Sequence, residues 1–171
     1  MDAPVKQITV VSSSAAETKH LGEKLGALLQ PPLVLALHGD LGAGKTTLTQ
    51  GIATGLGIAQ RVTSPTFTLV NEYPLHHSWR LIHIDSYRLN AGEAETIGLD
   101  EILDDELAIV IIEWAERVAE LLPQERFDIQ LLADKEAQTR KIIFSAVGES
   151  VKLLQALQEQ VTIGQDNKMT R

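Results

Sequence analysis

The sequence predicts an α/β domain: a central, mostly parallel sheet with antiparallel edge strands and flanking helices. Three observations carry this. Leu33 to Leu37 is a continuous apolar run, followed at once by a glycine-rich loop and a helical segment, so strand, loop and helix come in direct succession. Leu107 to Ile112 is a second such run and the most hydrophobic segment of the chain. Near the end, Phe127, Ile129 and Leu131 alternate with polar residues. Ile142 and Phe144 do the same beyond a charged turn, as in a β-hairpin with one covered face.

The remaining elements follow in order. Ser14-Ala15-Ala16-Glu17 has the spacing of a capping box and opens a helix to about Leu29, with Leu21, Leu25, Leu28 and Leu29 on one face. Pro31-Pro32 stops it. After the strand and the glycine loop, a helix runs from Thr46 to about Leu56 and ends at Gly55 or Gly57. Thr66 to Val70 and Arg80 to Ile84 are short strand candidates, separated by a turn-rich piece from Asn71 to Ser78; they could pair as a hairpin or lie side by side. Ala94 to Leu103 is acidic and reads as one or two short helices broken at Gly98. Leu107 to Ile112 is expected at the centre of the sheet, and Trp114 to Leu122 as a helix closed by Pro123. A last helix spans Glu149 to Gln160, with Val151, Leu154 and Leu157 at helical spacing. With no internal repeat or linker, residues 1–161 form one domain and 162–171 a polar, loose tail.

A chain of 171 residues suits one domain with its own core. It contains no cysteine, which rules out disulfides and thiolate metal sites. The apolar runs are too short to cross a bilayer, and Met1-Asp2-Ala3-Pro4 is not the basic start of a signal peptide. The expectation is a cytoplasmic protein without membrane contact. A formal net charge of -8, with thinly scattered Lys and Arg, argues against tight direct binding to nucleic acid and leaves a role through a partner open.

The chemistry starts at Gly39-Asp40-Leu41-Gly42-Ala43-Gly44-Lys45-Thr46, a phosphate-binding loop. Its glycines let the backbone wrap a phosphate and aim N–H groups inward, and the following helix adds its positive end. Lys45 is expected on the β- and γ-phosphates and the Thr46 hydroxyl on Mg²⁺. This makes the chain a single-domain P-loop NTPase. Asp85 follows an apolar strand, where it could hold Mg²⁺ directly or through water, or merely cap the next turn. His83 shares its face by strand periodicity, in a supporting or a catalytic role. Glu113 ends the second apolar run and faces the γ-phosphate, either as a metal ligand or to orient water; an N-cap role is the alternative. Glu116 is a weaker acid candidate. Ser64-Pro65-Thr66 lies where a segment sensing the γ-phosphate would sit. Arg88 and Arg80 are the nearby cations, with Arg88 preferred.

Taken together, GDLGAGKTT from Gly39 to Thr47, SPTFTLV from Ser64 to Val70, Glu72-Tyr73, HIDSYRL from His83 to Leu89, and Glu113-Trp114-Ala115-Glu116 resemble the TsaE (YjeE) family. The resemblance runs from the first helix to about Pro123. It implies an ATPase needed for threonylcarbamoylation of the adenosine beside the anticodon in bacterial tRNAs that read codons starting with A. Such a protein is not the transferase. It acts with the TsaB and TsaD proteins through Mg²⁺-dependent ATP binding and hydrolysis that is weak without them, and it meets tRNA only through the complex. The resemblance also implies nucleotide contacts from Asp40, Leu41, Gly42, Ala43, Gly44, Lys45, Thr46 and Thr47. It places a switch-like loop at Ser64, Pro65, Thr66 and Phe67, and Mg²⁺ and catalytic roles at Thr46, Asp85 and Glu113 beside Lys45. Ser14 to Glu17 correspond to the start of the family's first helix, near the adenine. Ser86 departs from the family's usual apolar residue.

Two other readings compete. A small-molecule kinase would need an arginine-bearing lid, and Glu93 to Glu106 contains no arginine or lysine. A nucleotide-dependent binding module, with hydrolysis incidental, is the second; alanine at Glu113 separates it from an ATPase whose hydrolysis is required.

Overall fold

The apolar run after Pro31-Pro32 becomes β2 (Leu33–His38), and its two faces enter two different cores. Leu35 and Leu37 join one cluster with Leu25, Leu48, Ile52, Phe127 and Phe144. Val34 and Ala36 join the other with Ile84, Leu99, Val110 and Ile112. This double burial explains why the strand carries no polar alternation. The structure is a computed structural model and describes residues 4–40, 42–65 and 67–169. Leu41 and Thr66, both expected in the site, lie outside the described residues.

Seven strands form one sheet in the order β1-β7-β6-β2-β5-β4-β3. Its parallel centre consists of β6 (Phe127–Asp134), β2, β5 (Ala108–Glu113) and β4 (Arg80–Asp85). The antiparallel edges are β7 (Thr139–Ala146) with β1 (Lys6–Ser12) on one side and β3 (Val70–Pro74) on the other. The fold class is therefore the one expected. The middle position belongs to β2, and β5 lies beside it, buried at every residue.

Helices α1 (Ala15–Gly26), α2 (Lys45–Gly55) and α5 (Val151–Met169) belong to the first core, while α3 (Ala91–Thr96) and α4 (Leu99–Leu103) belong to the second. Ser14 caps α1 by accepting from Glu17 N–H at 3.1 Å, and the Glu17 carboxylate reaches back to Ser13 N–H at 2.8 Å. The helices α1 and α2 cross backbone to backbone on glycines. A Cβ on Gly22 would lie 2.5 Å from Leu48 O, and methyls on Gly26, Gly51 and Gly55 would come closer still to Ile52, Lys19 and Glu23 carbonyls. This approach draws the start of α1 beside the glycine loop.

Three expectations are corrected, and one strand is new. The strand expected over Thr66 to Val70 does not form at Phe67 to Leu69: Leu69 takes φ 68° and bonds back to Pro65 O at 2.7 Å, and β3 starts only at Val70 and runs into the expected turn. Hairpin pairing with β4 holds nonetheless. Trp114 to Leu122 forms no α-helix. Trp114 adopts φ 56° and Val118 breaks the run, leaving 3₁₀ turns over Ala115–Leu121. The last helix continues past Gln160 to Met169, so Thr162 to Met169 are helical where loose chain was expected. Finally, β1 was not anticipated; its Ile8 and Val10 alternate inward against the core. Among the described residues, no helix is long and apolar enough to cross a membrane.

Candidate functional site

At the carboxyl end of β2 the chain turns into the glycine loop, and Gly44, at φ 104°, hands over to α2. A side chain there would be strained, and glycine is the residue that takes this conformation freely. No side chain caps this helix start, so its amide dipoles stay open to a cleft of about 450 Å³. Gly42, Gly44, Lys45, Thr46 and Thr47 line the cleft together with Ser64, Asp85, Arg88 and Glu113.

The parallel pairing of β4 with β5 sets Asp85 directly opposite Glu113. Both are buried, with 5% and 2% exposure. Ser64 Oγ donates toward Asp85 Oδ2 at 3.1 Å and lies 3.3 Å from Glu113 Oε2. Thr46 Oγ1 donates to Glu113 Oε1 at 3.3 Å. Four oxygen-bearing side chains thus converge at the mouth of the loop. Asp85 also caps the next turn, its Oδ1 accepting from Tyr87 N–H at 2.9 Å.

His83, fully buried, places Nε2 3.1 Å from Glu113 Oε2. A carboxylate only accepts, so Nε2 carries the proton. Nδ1 has no hydrogen-bond partner among the described residues. His83 therefore orients Glu113 from behind and does not reach the cleft.

Lys45 Nζ donates to the carbonyls of Gly39 and Asp40, the latter at 3.0 Å, and sits 3.9 Å from the centroid of the Trp114 ring. Burial pushes its pKa down, against the pull of Glu113, Glu116, Asp40 and Asp85. The left-handed turn at Trp114 is what swings the indole over the loop. Tyr87 packs on the same indole at 4.8 Å.

The structure separates the other candidates. Arg88 lines the cleft and lies 5.7 Å from the ring of Phe67, which is 89% exposed. Arg80 opens β4 at the opposite end of the strand, bonded to Glu72 and Asp105, and is excluded from the site. Glu116 faces away from the cleft to His38 Nδ1 at 3.4 Å, while His38 Nε2 meets Asp128 at 3.0 Å. Arg140 is the cation that sequence reasoning missed. It comes from β7, lines the cleft and reaches Gly42 O at 3.5 Å. No local spacing signals it, because the approach depends on the order of strands.

The donor set fits magnesium. Mg²⁺ takes hard oxygen ligands, usually one or two from protein with the rest from phosphates and water. The Thr46 hydroxyl and the Asp85 carboxylate offer such ligands. Among the described residues there is no cluster of three or more His, Asp or Glu that would hold a metal unaided.

A family model described as "Threonylcarbamoyl adenosine biosynthesis protein TsaE" matches residues 12–142. The chain belongs to the TsaE family. A Bacillus subtilis relative named tRNA threonylcarbamoyladenosine biosynthesis protein TsaE is 41% identical over 155 residues, covering 88% of this chain and 92% of its own. The Treponema pallidum protein of that name is 44% identical over 127 residues, covering 72% of this chain and 92% of its own. The crystal structure of Bacillus subtilis YdiB superposes with a TM-score of 0.76 at 38% identity, covering 92% of this chain and 97% of that one. The TsaE match thus spans the loop, both buried acids, β6 and the first half of β7. Ser86 is fully buried, and its hydroxyl has no hydrogen-bond partner among the described residues.

Proposed function

We propose that this chain is the ATP-hydrolysing member of the machinery that places threonylcarbamoyl on the adenosine beside the anticodon of tRNAs reading codons that start with A. It works with the TsaB and TsaD proteins, and it is not the transferase. The convergence of Thr46, Ser64, Asp85 and Glu113 at the mouth of the glycine loop is the observation that carries this reading.

ATP binds with its phosphates on the loop Asp40 to Thr47. Lys45 exchanges the Gly39 and Asp40 carbonyls for phosphate oxygens, so its charge moves between two sets of oxygen partners. Thr46 and Asp85 would hold magnesium, which when bound neutralises charge on the phosphates. Glu113, fixed by His83 and facing Ser64, accepts a hydrogen bond from water and orients it toward the terminal phosphorus. Ser64, Pro65, Thr66 and Phe67 form the segment that closes over the site. Phe67 stands in solvent beside Arg88, which suits a loop completed by a partner surface. Water positioned only after that closure gives slow hydrolysis by the chain alone. The net charge of -8 suits contact with partner proteins that hold the tRNA.

The test is Mg²⁺-dependent ATP hydrolysis by the protein alone and with purified TsaB–TsaD complex. Low activity alone, a clear increase with the complex and loss on Lys45→Ala are expected. High activity that the partners leave unchanged would overturn the partner-completed mechanism.

A further inference from the structure

We infer that Asn71 is a positioning residue for hydrolysis: its side-chain amide ties Thr63 to Thr68 and so fixes Ser64 against the two buried acids. This deepens the reading of the glycine loop as part of an ATPase site and rests on it.

Ser64 stands where the two acids meet. Its Oγ lies 3.1 Å from Asp85 Oδ2 and 3.3 Å from Glu113 Oε2, so the place of one hydroxyl decides how both carboxylates are aimed. Ser64 belongs to no strand or helix, lying between α2 and β3. Its place therefore comes from contacts made on either side of it. Before it, Gln50 Nε2 on α2 donates to Val62 O at 3.0 Å. After it, Leu69 N–H bonds back to Pro65 O at 2.7 Å, and Asp85 N–H donates to Leu69 O at 3.0 Å.

Asn71 joins the two sides. Its Nδ2 donates to Thr63 O at 3.4 Å, and its Oδ1 accepts from Thr68 Oγ1 at 3.1 Å. A backbone carbonyl only accepts, so the amide nitrogen faces Thr63 and the amide oxygen is left for the Thr68 hydroxyl. Both ends of the amide are used. The clasp also has a fixed footing, because Asn71 lies on β3 and pairs with His83 on β4, two residues before Asp85. Asn71 and the acid that Ser64 meets thus stand on neighbouring strands, at a separation the sheet sets.

Both bonds of Asn71 are open to solvent, so water can replace them at little cost to the folded state. Water cannot restore the geometry. With Thr63 and Thr68 untied, Ser64 drifts from the acids, and a misplacement of about 1 Å at a reacting centre costs up to about 10²-fold in rate.

Mg-ATP hydrolysis at saturating TsaB–TsaD complex, calorimetric ATP affinity and thermal unfolding test this on the wild type, Asn71→Ala, Thr68→Val and Thr68→Ser. Asn71→Ala should lower kcat about ten-fold, with ATP affinity within about two-fold and Tm within about 2 °C of the wild type. Thr68→Val should lower kcat in the same sense. Combining the two should go no lower than Asn71→Ala alone, because loss of the amide has already opened both ends. Thr68→Ser keeps the hydroxyl and should turn over like the wild type. Undiminished kcat in Asn71→Ala, a Thr68→Ser protein as slow as Thr68→Val, or losses of Tm and ATP affinity that match the loss of kcat would each overturn the inference and leave the ATPase reading standing. A wild type that binds no ATP, or that the complex does not stimulate, would overturn that reading and this inference with it.

Discussion

Replacing Gly22 by alanine should destabilise this protein, although the same change in a helix normally stabilises it. In a helix interior, alanine is favoured over glycine by about 1 kcal/mol. Here the added methyl carbon would sit 2.5 Å from Leu48 O and 3.0 Å from Gly51 Cα, both backbone atoms that no rotamer change can move. Reaching the 3.4 Å of ordinary contact requires α1 and α2 to part by about 0.9 Å. A gap of that size forfeits between about a quarter and a half of the dispersion attraction at each affected contact, here among Leu21, Leu25, Leu48 and Ile52. Overpacking of this kind costs up to about 3 kcal/mol, so the net loss is about 2 kcal/mol. For a domain of this size that lowers Tm by about 4 to 8 °C. Thermal unfolding of Gly22→Ala beside Gly92→Ala measures it. Gly92 in α3 has only Asn90 Oδ1 near its Cβ position, at 3.5 Å, so alanine there should be neutral or stabilising. Because Thr18 lies one turn before Gly22 and flanks Gly44, Gly22→Ala should also weaken ATP binding. A Gly22→Ala protein as stable as the wild type would refute the close helix crossing.

Three further outcomes follow from the site and its surroundings. Glu113→Gln keeps the shape and loses the charge, so ATP binding should hold within a few-fold while partner-stimulated hydrolysis falls by about 10² or more, measured as KM against kcat; undiminished turnover would remove Glu113 from the chemistry. Burial pushes the Asp128 carboxyl up, yet hydrogen bonds from His38 and Arg126 outweigh it and hold the group below the usual carboxylate range. A depressed folded pKa gives stability that is present above the ordinary value near 3.8 and lost as pH falls through the folded one. Asp128→Asn should therefore cost about 1 to 2 kcal/mol in urea unfolding at neutral pH, with a gap that narrows in strong acid; a gap independent of pH would count against it. Ser86→Ala removes an orphaned buried hydroxyl and should raise stability by about 1 kcal/mol, seen as a higher Tm; a lower Tm would show that the hydroxyl has a partner.

Much of this fold could be read from the sequence where local pattern and tertiary setting agree. The runs forming β2 and β5 are apolar throughout because both faces are covered, and the glycine loop is legible because its glycines meet a local backbone demand. The His83 and Asp85 face follows from strand alternation. Elements held by their partners alone were harder. Asn71, Glu72 and Pro74 are poor strand formers, and β3 exists because β4 offers an edge, where proline is tolerated. The spacing of Ala115, Val118 and Leu122 imitates a helix, but the left-handed corner at Trp114 starts the segment badly aligned for one. Arg140 was invisible for a different reason. Its nearness to Gly42 comes from the order in which β7, β6 and β2 lie side by side, which no spacing along the chain encodes.

The pairing of β1 with β7 also has a bearing on synthesis. During translation, the segment Lys6–Ser12 leaves the ribosome long before the strand that receives it. Until β7 arrives, Ile8 and Val10 have no sheet to join, and Ser12 has no fixed place from which to hold Thr18 and Ser14. The glycine loop and its two acids can be assembled from β2, β4 and β5 well before that moment. The β1–β7 flank cannot. A nascent chain thus acquires the glycine loop and its two acids early, and the strand that fixes the start of α1 late.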